Sequence, residues 1–425
     1  IVIGGLVVGG FDGHGIEING ARAGIEATYV GTGAAGTTAN PNTGNGIHIT
    51  GDDASIGSPA SGRRVLVSGN DGQGVNVSGQ GASILGSVIG VNAAATAPLP
   101  NGANGVRLSG VSSATVGSPG AGNIIAGNNL APATADGLYV SGGDSHVIQG
   151  NLVGTNAAGD PLGNFNAGIA VSGGTDVLIG GTSAGEGNTV AHNGADGIQV
   201  TGGSVEVSVV GNSIVDNTDL GIDIGNDGLS PNDSGDGDAG PNDVLNTPVL
   251  DSAAASAGSV TVDYTLDVPA GTYRIEFFAN PSGADPSGYG EGESLAATTS
   301  IVHAGAGASS FSFAFPGGAG SIITATATET VLGNPGATSE FSNAITAVAA
   351  ADTTISDSSI RRSHLAARGT VDPSSPASGI AGETVAIAGG IDRHVGPGLD
   401  TTDGQLTLST WVNLDDMGSQ PRLIS

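Results

Sequence analysis

Between Asp219 and Asp243 the chain carries seven aspartates, at 219, 223, 227, 233, 236, 238 and 243, with Asn226, Asn232 and Asn242 among them. The core of this stretch, Asn232-Asp-Ser-Gly-Asp-Gly-Asp-Ala-Gly-Pro-Asn-Asp, sets carboxylates two or three residues apart on a glycine-rich loop. Calcium takes six to eight oxygen ligands in flexible geometry, and such a loop can turn several Asp oxygens and backbone carbonyls toward one ion. The alternative is a solvated acidic linker, but like charge at this density resists compaction unless an ion neutralises it. The expected cofactor is Ca2+. Its candidate ligands are Asp223, Asp227, Asn232, Asp233, Asp236, Asp238 and Asp243, at spacings that depart from the EF-hand pattern.

The segment leading into this loop is a repeat. Gly-aliphatic-x-aliphatic recurs as Gly15-Ile-Glu-Ile, Gly46-Ile-His-Ile, Gly74-Val-Asn-Val, Gly105-Val-Arg-Leu, Gly137-Leu-Tyr-Val, Gly168-Ile-Ala-Val, Gly197-Ile-Gln-Val and Gly221-Ile-Asp-Ile, at intervals of 31, 28, 31, 32, 31, 29 and 24 residues. A near-constant period of this size means one supersecondary unit copied along the chain. Connecting loops alternate in type. Val30-Gly-Thr-Gly-Ala-Ala-Gly, Ile89-Gly-Val-Asn-Ala-Ala-Ala and Val153-Gly-Thr-Asn-Ala-Ala-Gly belong to one set, and Ile56-Gly-Ser-Pro, Val116-Gly-Ser-Pro and Ile179-Gly-Gly-Thr to the other. A duplicated pair of units accounts for that alternation.

Each unit holds three short apolar alternations, as in Gly168-Ile-Ala-Val, Asp176-Val-Leu-Ile-Gly and Asn188-Thr-Val-Ala-His, separated by turn formers. Period two over four or five residues reads as strand, and no helical rhythm is sustained. Three strands per coil, stacked in register, describe a right-handed parallel β-helix over 1–225, about eight coils and roughly 35 Å long at the stacked-strand spacing. Asn and Gly at the corners can supply left-handed backbone and side-chain ladders.

Stacking converts the repeat into a test for chemistry. The outward position of the opening motif reads Glu17, His48, Asn76, Arg107, Tyr139, Ala170, Gln199 and Asp223. Glycoside hydrolysis needs two carboxylates about 5 to 9.5 Å apart, and the two acids on this ladder stand seven coils apart, roughly 34 Å. A lyase needs clustered acids for calcium beside a basic residue, and Arg107 has no acidic neighbour on the ladder. His48, Asn76, Arg107 and Tyr139 are the glycan-contact candidates, offering donors, acceptors and one aromatic face in four consecutive coils. A variable solvated face is the competing reading. The histidines lack the paired spacing of a transition-metal site. A polysaccharide lyase or glycoside hydrolase on the β-helix is the alternative to a non-catalytic role, because that scaffold also hosts enzymes.

Net charge is -29, with 29 Asp, 10 Glu, 10 Arg and no lysine. Such a surface repels nucleic acid and anionic lipid and attracts divalent cations. No run of about 20 apolar residues spans a membrane, and the absence of cysteine excludes disulfides. The 77 glycines among 425 residues are more than twice the usual share of about 7%. The opening Ile1-Val-Ile-Gly-Gly-Leu starts inside a strand-like pattern, as expected of a fragment of a longer polypeptide.

Beyond the acidic junction, 226–247, longer alternating strands replace the repeat over 248–349: Val260 to Leu266, Tyr273 to Ala279, Leu295 to Val302, Phe311 to Phe315 and Ile322 to Thr328. Their length and spacing predict a β-sandwich. The loop Asp285-Pro-Ser-Gly-Tyr-Gly-Glu-Gly-Glu is either a second ion site or a plain turn.

The order of these pieces, from the Gly-Thr-Asn-Ala-Ala-Gly loops through Asn232–Pro248 to Tyr273-Arg-Ile-Glu-Phe-Phe-Ala-Asn and Ile322-Ile-Thr-Ala-Thr-Ala-Thr, ending in Thr338-Ser-Glu-Phe-Ser-Asn, resembles large secreted bacterial proteins with parallel β-helix repeats. The resemblance covers about residues 10 to 348. It implies an immunoglobulin-like sandwich, a secreted or cell-surface location and an adhesin-like role. One departure is Glu329-Thr-Val-Leu-Gly, where the family has a shorter turn. The last segment, 350–425, with Ile387-Ala-Gly-Gly-Ile-Asp-Arg-His-Val and Leu406-Thr-Leu-Ser-Thr-Trp-Val-Asn-Leu-Asp-Asp, looks like a linker and the first half of a laminin-G-like jelly roll of the concanavalin A type. Together these readings describe an all-β, calcium-stabilised, non-catalytic extracellular protein whose rod meets surface polysaccharide or copies of itself.

Overall fold

The computed structural model describes residues 1–350 apart from Ser61 and 129–134, together with short strands between Thr384 and Leu423. The repeat folds into three eight-stranded parallel sheets, each coil adding one strand to every sheet. Sheet 1 runs from Val2–Gly4 to Val205–Val210, sheet 2 from Val7–Val8 to Ser213–Val215, and sheet 3 from Ile16–Ile18 to Ile222–Ile224. Sheet 3 is the glycine-led motif itself. Its register pairs Glu17 with His48, His48 with Asn76, Asn76 with Arg107, Arg107 with Tyr139, Tyr139 with Ala170, Ala170 with Gln199, and Gln199 with Asp223.

Alternation within the motif explains the core. The aliphatic residues on either side of each ladder position, such as Ile47 and Ile49, Val106 and Leu108, or Ile198 and Val200, point inward and form one continuous column with Ile25, Ile56, Val67 and Ile89 from the other sheets. A row of buried asparagines closes one corner. Asn42 Nδ2 donates to Asn70 Oδ1 at 2.8 Å, and the same bond passes through Asn101, Asn128, Asn164 and Asn193 to Asn217 at 2.9 to 3.0 Å. A second row, Asn123 to Asn151 to Asn188 to Asn212, closes another corner at 2.9 Å per step.

The first ladder accounts for the glycine that opens the motif. A Cβ on Gly105 would lie 2.6 Å from Asn128 Nδ2 and 2.7 Å from the Gly137 carbonyl oxygen, so only a bare Cα fits between the sheet and the ladder.

Sheet 2 has an outer core that the sequence did not announce. The Gly-Thr/Val-Asn-Ala-Ala loops curl back through the Thr32–Ala39 and Val91–Pro98 bridges. Val91, Ala95 and Leu162 then bury Leu66, Val88 and Ile124 on the outward face. The alternation of loop types therefore has a packing cause.

The expected sandwich strands are present as Ser259–Leu266, Gly271–Ala279, Ser294–His303, Ser309–Pro316 and Ile322–Val331, joined by Val249–Ser256, Asn334–Thr338, Ile345–Thr346 and Val348–Ala349. They make a four-stranded and a five-stranded sheet, antiparallel between their long strands. The two sheets share one core, in which Phe277 meets Tyr264 edge-on at 5.5 Å and stacks with Phe313 and Phe315. The turn after Glu329 is a two-residue hairpin with Leu332 and Gly333 at φ 50° and 87°.

Rod and sandwich form one compact unit, Ile1–Val348, and Phe278 and Phe341 of the sandwich complete the rod's core. The remaining unit, Ala349–Ser425, shows three antiparallel strand pairs, Thr384–Ile387 with Ile391–His394 being the longest. Most of the segment expected to begin a laminin-G-like jelly roll lies outside the described residues. Among the described residues no helix is long and apolar enough to cross a membrane.

Candidate functional site

The acidic run divides into separate places. Asp233, Asp236 and Asp238 converge, each offering a carboxylate oxygen within 4.8 Å of the others. Positive φ at Gly235 and Asp236, 76° and 56°, curls the loop, and Gly237 N donates to both Asp233 carboxylate oxygens at 3.0 and 3.2 Å. Asn246 holds the loop in this shape. Its backbone N–H donates to Asp236 Oδ1 at 2.7 Å, its Oδ1 accepts from Asp233 N at 2.9 Å, and its Nδ2 donates to the Asp233 and Asp267 carbonyls. Partial burial, reinforced by Asp238, Asp233 and Asp243, pushes Asp236 up to about 6, and burial with Asp233 raises Asp238. Three hard oxygen donors suit calcium or magnesium rather than a nitrogen- or sulfur-seeking metal. Asp267 Oδ1 is buried without a hydrogen-bond partner, on the strand end that Asn246 ties to this loop.

The other four candidate ligands sit elsewhere. Asn232 forms a clip with Thr247, accepting from its N–H at 2.9 Å and donating to its carbonyl at 2.8 Å, so its amide is already engaged. Asp227 and Asp243 are exposed and outside the trio. Asp223 is buried at the end of sheet 3, where Asn226 N and Gly228 N donate to it at 2.8 and 3.1 Å. The Asp285–Glu293 loop turns Glu291 inward against the rod instead of presenting it to solvent.

The ladder face brings the glycan-contact candidates together in the expected order. Asn76 Nδ2 and His48 Nδ1 are 2.9 Å apart, the His14 and His48 rings 4.7 Å, and the Arg107 guanidinium lies 5.6 Å from the Tyr139 ring centre. Desolvation, with His14 beside it, lowers His48 against the opposing pull of Glu17. All four candidates are half-buried, whereas Ala170, Gln199 and Asp223 are covered. The half-buried part of this face therefore ends with the fifth coil, and at the last coil Asn226 and Gly228 close over Asp223.

A second ladder runs through the residue preceding each motif glycine: His14, Asn45, Gln73, Asn104, Asp136, Ala167, Asp196 and Leu220. It brings Asp196 beside Asp223, and burial with that neighbour pushes Asp196 up to about 6, against donation from Gln199 and Leu220 N. Asp136, also raised by burial, accepts from Asn166 Nδ2 at 2.7 Å. The fixed offset from each glycine was the signal that could have revealed it.

Residues 45–231 match the family described as right handed beta helix region, so the rod is a right-handed parallel β-helix. No curated protein and no solved structure matches the chain.

Proposed function

We propose that the protein is a non-catalytic, calcium-stabilised extracellular structural or adhesive protein, secreted or held at a cell surface, whose rod binds glycan or another surface through sheet 3. The observation carrying this reading is the row His48, Asn76, Arg107 and Tyr139, held at strand spacing by the register of four consecutive coils. A linear polymer meets donors, acceptors and an aromatic face in a repeating line, and stacking of a sugar on Tyr139 beside Arg107 suits such a line. The two facing sheets are read as an immunoglobulin-like spacer, and the chain beyond 350 as the start of a laminin-G-like jelly roll. Calcium at Asp233, Asp236 and Asp238 tightens the connection between rod and sandwich.

Binding to an array of extracellular polysaccharides tests the first part. Arg107→Ala and Tyr139→Ala together are expected to weaken any captured glycan by tenfold or more while unfolding is unchanged, and equal binding by the variant would overturn the assignment. For the metal, a chelator is expected to lower the thermal midpoint of the native chain but not of Asp233→Asn/Asp236→Asn, by linkage to the folded state. Assembly of copies into a filament or sheath predicts concentration-dependent size instead.

An enzyme is the second reading. It is favoured by Asp136 and Asp196, which occupy the same ladder position two coils apart, about 10 Å at the strand spacing and near the upper limit for an inverting glycosidase. Against it, both carboxylates are covered and hydrogen-bonded within the fold. Release of reducing ends or unsaturated products that disappears in Asp196→Asn would favour the enzyme.

A further inference from the structure

The last coil of a β-helix has no next coil to receive its outward-facing donors, and here three glutamates of the sandwich take that place. Gly211 N donates to Glu276 Oε2 at 2.8 Å. Asn217, the last member of the first asparagine ladder, donates through Nδ2 to Glu291 Oε1 at 2.8 Å, and its backbone N–H points at the same carboxylate at 3.2 and 3.3 Å. Ile224 N donates to Glu340 Oε1 and Ser230 N to Glu340 Oε2, both at 2.9 Å. One carboxylate therefore stands near the end strand of each sheet, and all three are buried, at 0%, 6% and 2% exposure.

The three differ in their counter-charge. Glu276 is paired with Arg274 at 2.9 Å. Glu291 and Glu340 have no ion pair among the described residues, and the charged groups around them are acidic. Asp285 faces Glu291 from its own loop, and Asp223 faces Glu340 from sheet 3. Asp223 itself stands between Asp196 and Asp227, with Asp219 beyond Asp196. Phe341, Leu220, Gly221, Ile222, Leu229 and Tyr289 pack around Glu340 and add no cation. A buried carboxylate with only neutral donors and acidic neighbours carries an uncompensated charge when ionised.

We propose that the seam between the last coil and the sandwich is a pH-operated latch, closed when Glu291 and Glu340 hold protons and loosened when they ionise. Burial pushes both carboxyls up to about 7, against the pull of the N–H donors. Protonated, Glu291 keeps Oε1 as a carbonyl for Asn217 Nδ2, and Glu340 keeps Oε2 for Ser230 N while a proton on Oε1 can go to Ser230 Oγ, 3.3 Å away, at the expense of the bond from Ile224 N. A carboxyl whose proton is held more tightly in the folded chain than in the unfolded one adds stability that is full below the unfolded value and is lost as pH rises through the folded one. The window therefore runs from the ordinary glutamate range up through about 7, and the seam weakens toward its alkaline end. Burial raises Glu276 as well, against the pull of Gly211 N and Arg274, but it alone of the three has a guanidinium as counter-charge when it ionises.

Hydrogen exchange on the whole chain, at fixed free calcium and corrected for intrinsic rates, tests this. Between pH 5 and pH 8 the corrected exchange of peptides covering 211–230 is expected to rise about tenfold for each pK unit of differential proton binding, while peptides in 75–125 stay constant. The Glu291→Gln/Glu340→Gln variant, which carries the protonated shape at every pH, is expected to remove that rise. Wild-type exchange at 211–230 that does not change with pH overturns the latch, as does a folded double variant that keeps the full rise. If the double variant does not fold, the wild-type profile alone decides.

Discussion

In the middle of the rod, Asn164 accepts an amide bond from Asn128 and passes one to Asn193, each at 2.9 Å. At the end, Asn217 accepts the same bond from Asn193 but passes its own to the carboxylate of Glu291, at 2.8 Å. The glycines show the same contrast. A Cβ on Gly105 would strike the next asparagine, whereas one on Gly221 would strike the Phe341 ring at 2.8 Å. The interior of the rod is satisfied by copies of itself, and its terminus by unlike residues 65 to 116 positions away. A repeat can satisfy every coil but its last with one rule, and the last needs a specific partner to avoid exposing core and stranding donors.

That contrast can be broken most forcefully at Phe341. It is 3% exposed and shared between the rod's core and Phe278. Phe341→Ala is expected to cost about 3–5 kcal/mol in urea unfolding and to speed hydrogen exchange in the last coil before the third or fourth; uniform acceleration along the rod would mean that the end is not a separate weak point. Next comes Asn164→Ala, which removes the acceptor of Asn128 N and Nδ2 and one of the two donors to Asn193 Oδ1, and should cost about 2–4 kcal/mol. Its exchange signature should be centred on coils five to seven and leave the sandwich protected. The smallest effect is expected at Leu332, which is 98% exposed on a hairpin turn. Leu332→Gly should change stability by no more than about 0.5 kcal/mol, and a larger change would show that this hairpin tip is covered by something other than solvent.

Much of the rod was legible because a period-two motif repeated at a near-constant interval leaves little freedom in register. The eight residues placed on one ladder from spacing alone are the eight that pair in sheet 3. Corner asparagines were expected to form ladders, and two are present. The acidic run was less legible. Its seven candidate ligands look equivalent as a string, but Asn232 is claimed by Thr247 and Asp223 belongs to the end strand of sheet 3. Only the three carboxylates on the loop that Asn246 braces are drawn together. Composition reports charge density, and which oxygens share a space depends on where the backbone turns.

From the residues alone, the chain determined its all-β class, the coil count, the inward and outward faces of the rod and the strands of the sandwich, because all of these follow from local alternation and turn chemistry repeated many times. Tertiary structure decided which polar groups meet. Glu276, Glu291 and Glu340 sit in strands and loops with no mark distinguishing them from surface acids, and they become the rod's terminus only because the sandwich folds back onto the last coil. The physical reason is that an end cap is satisfied by contacts distant in sequence and made once, so no period records it.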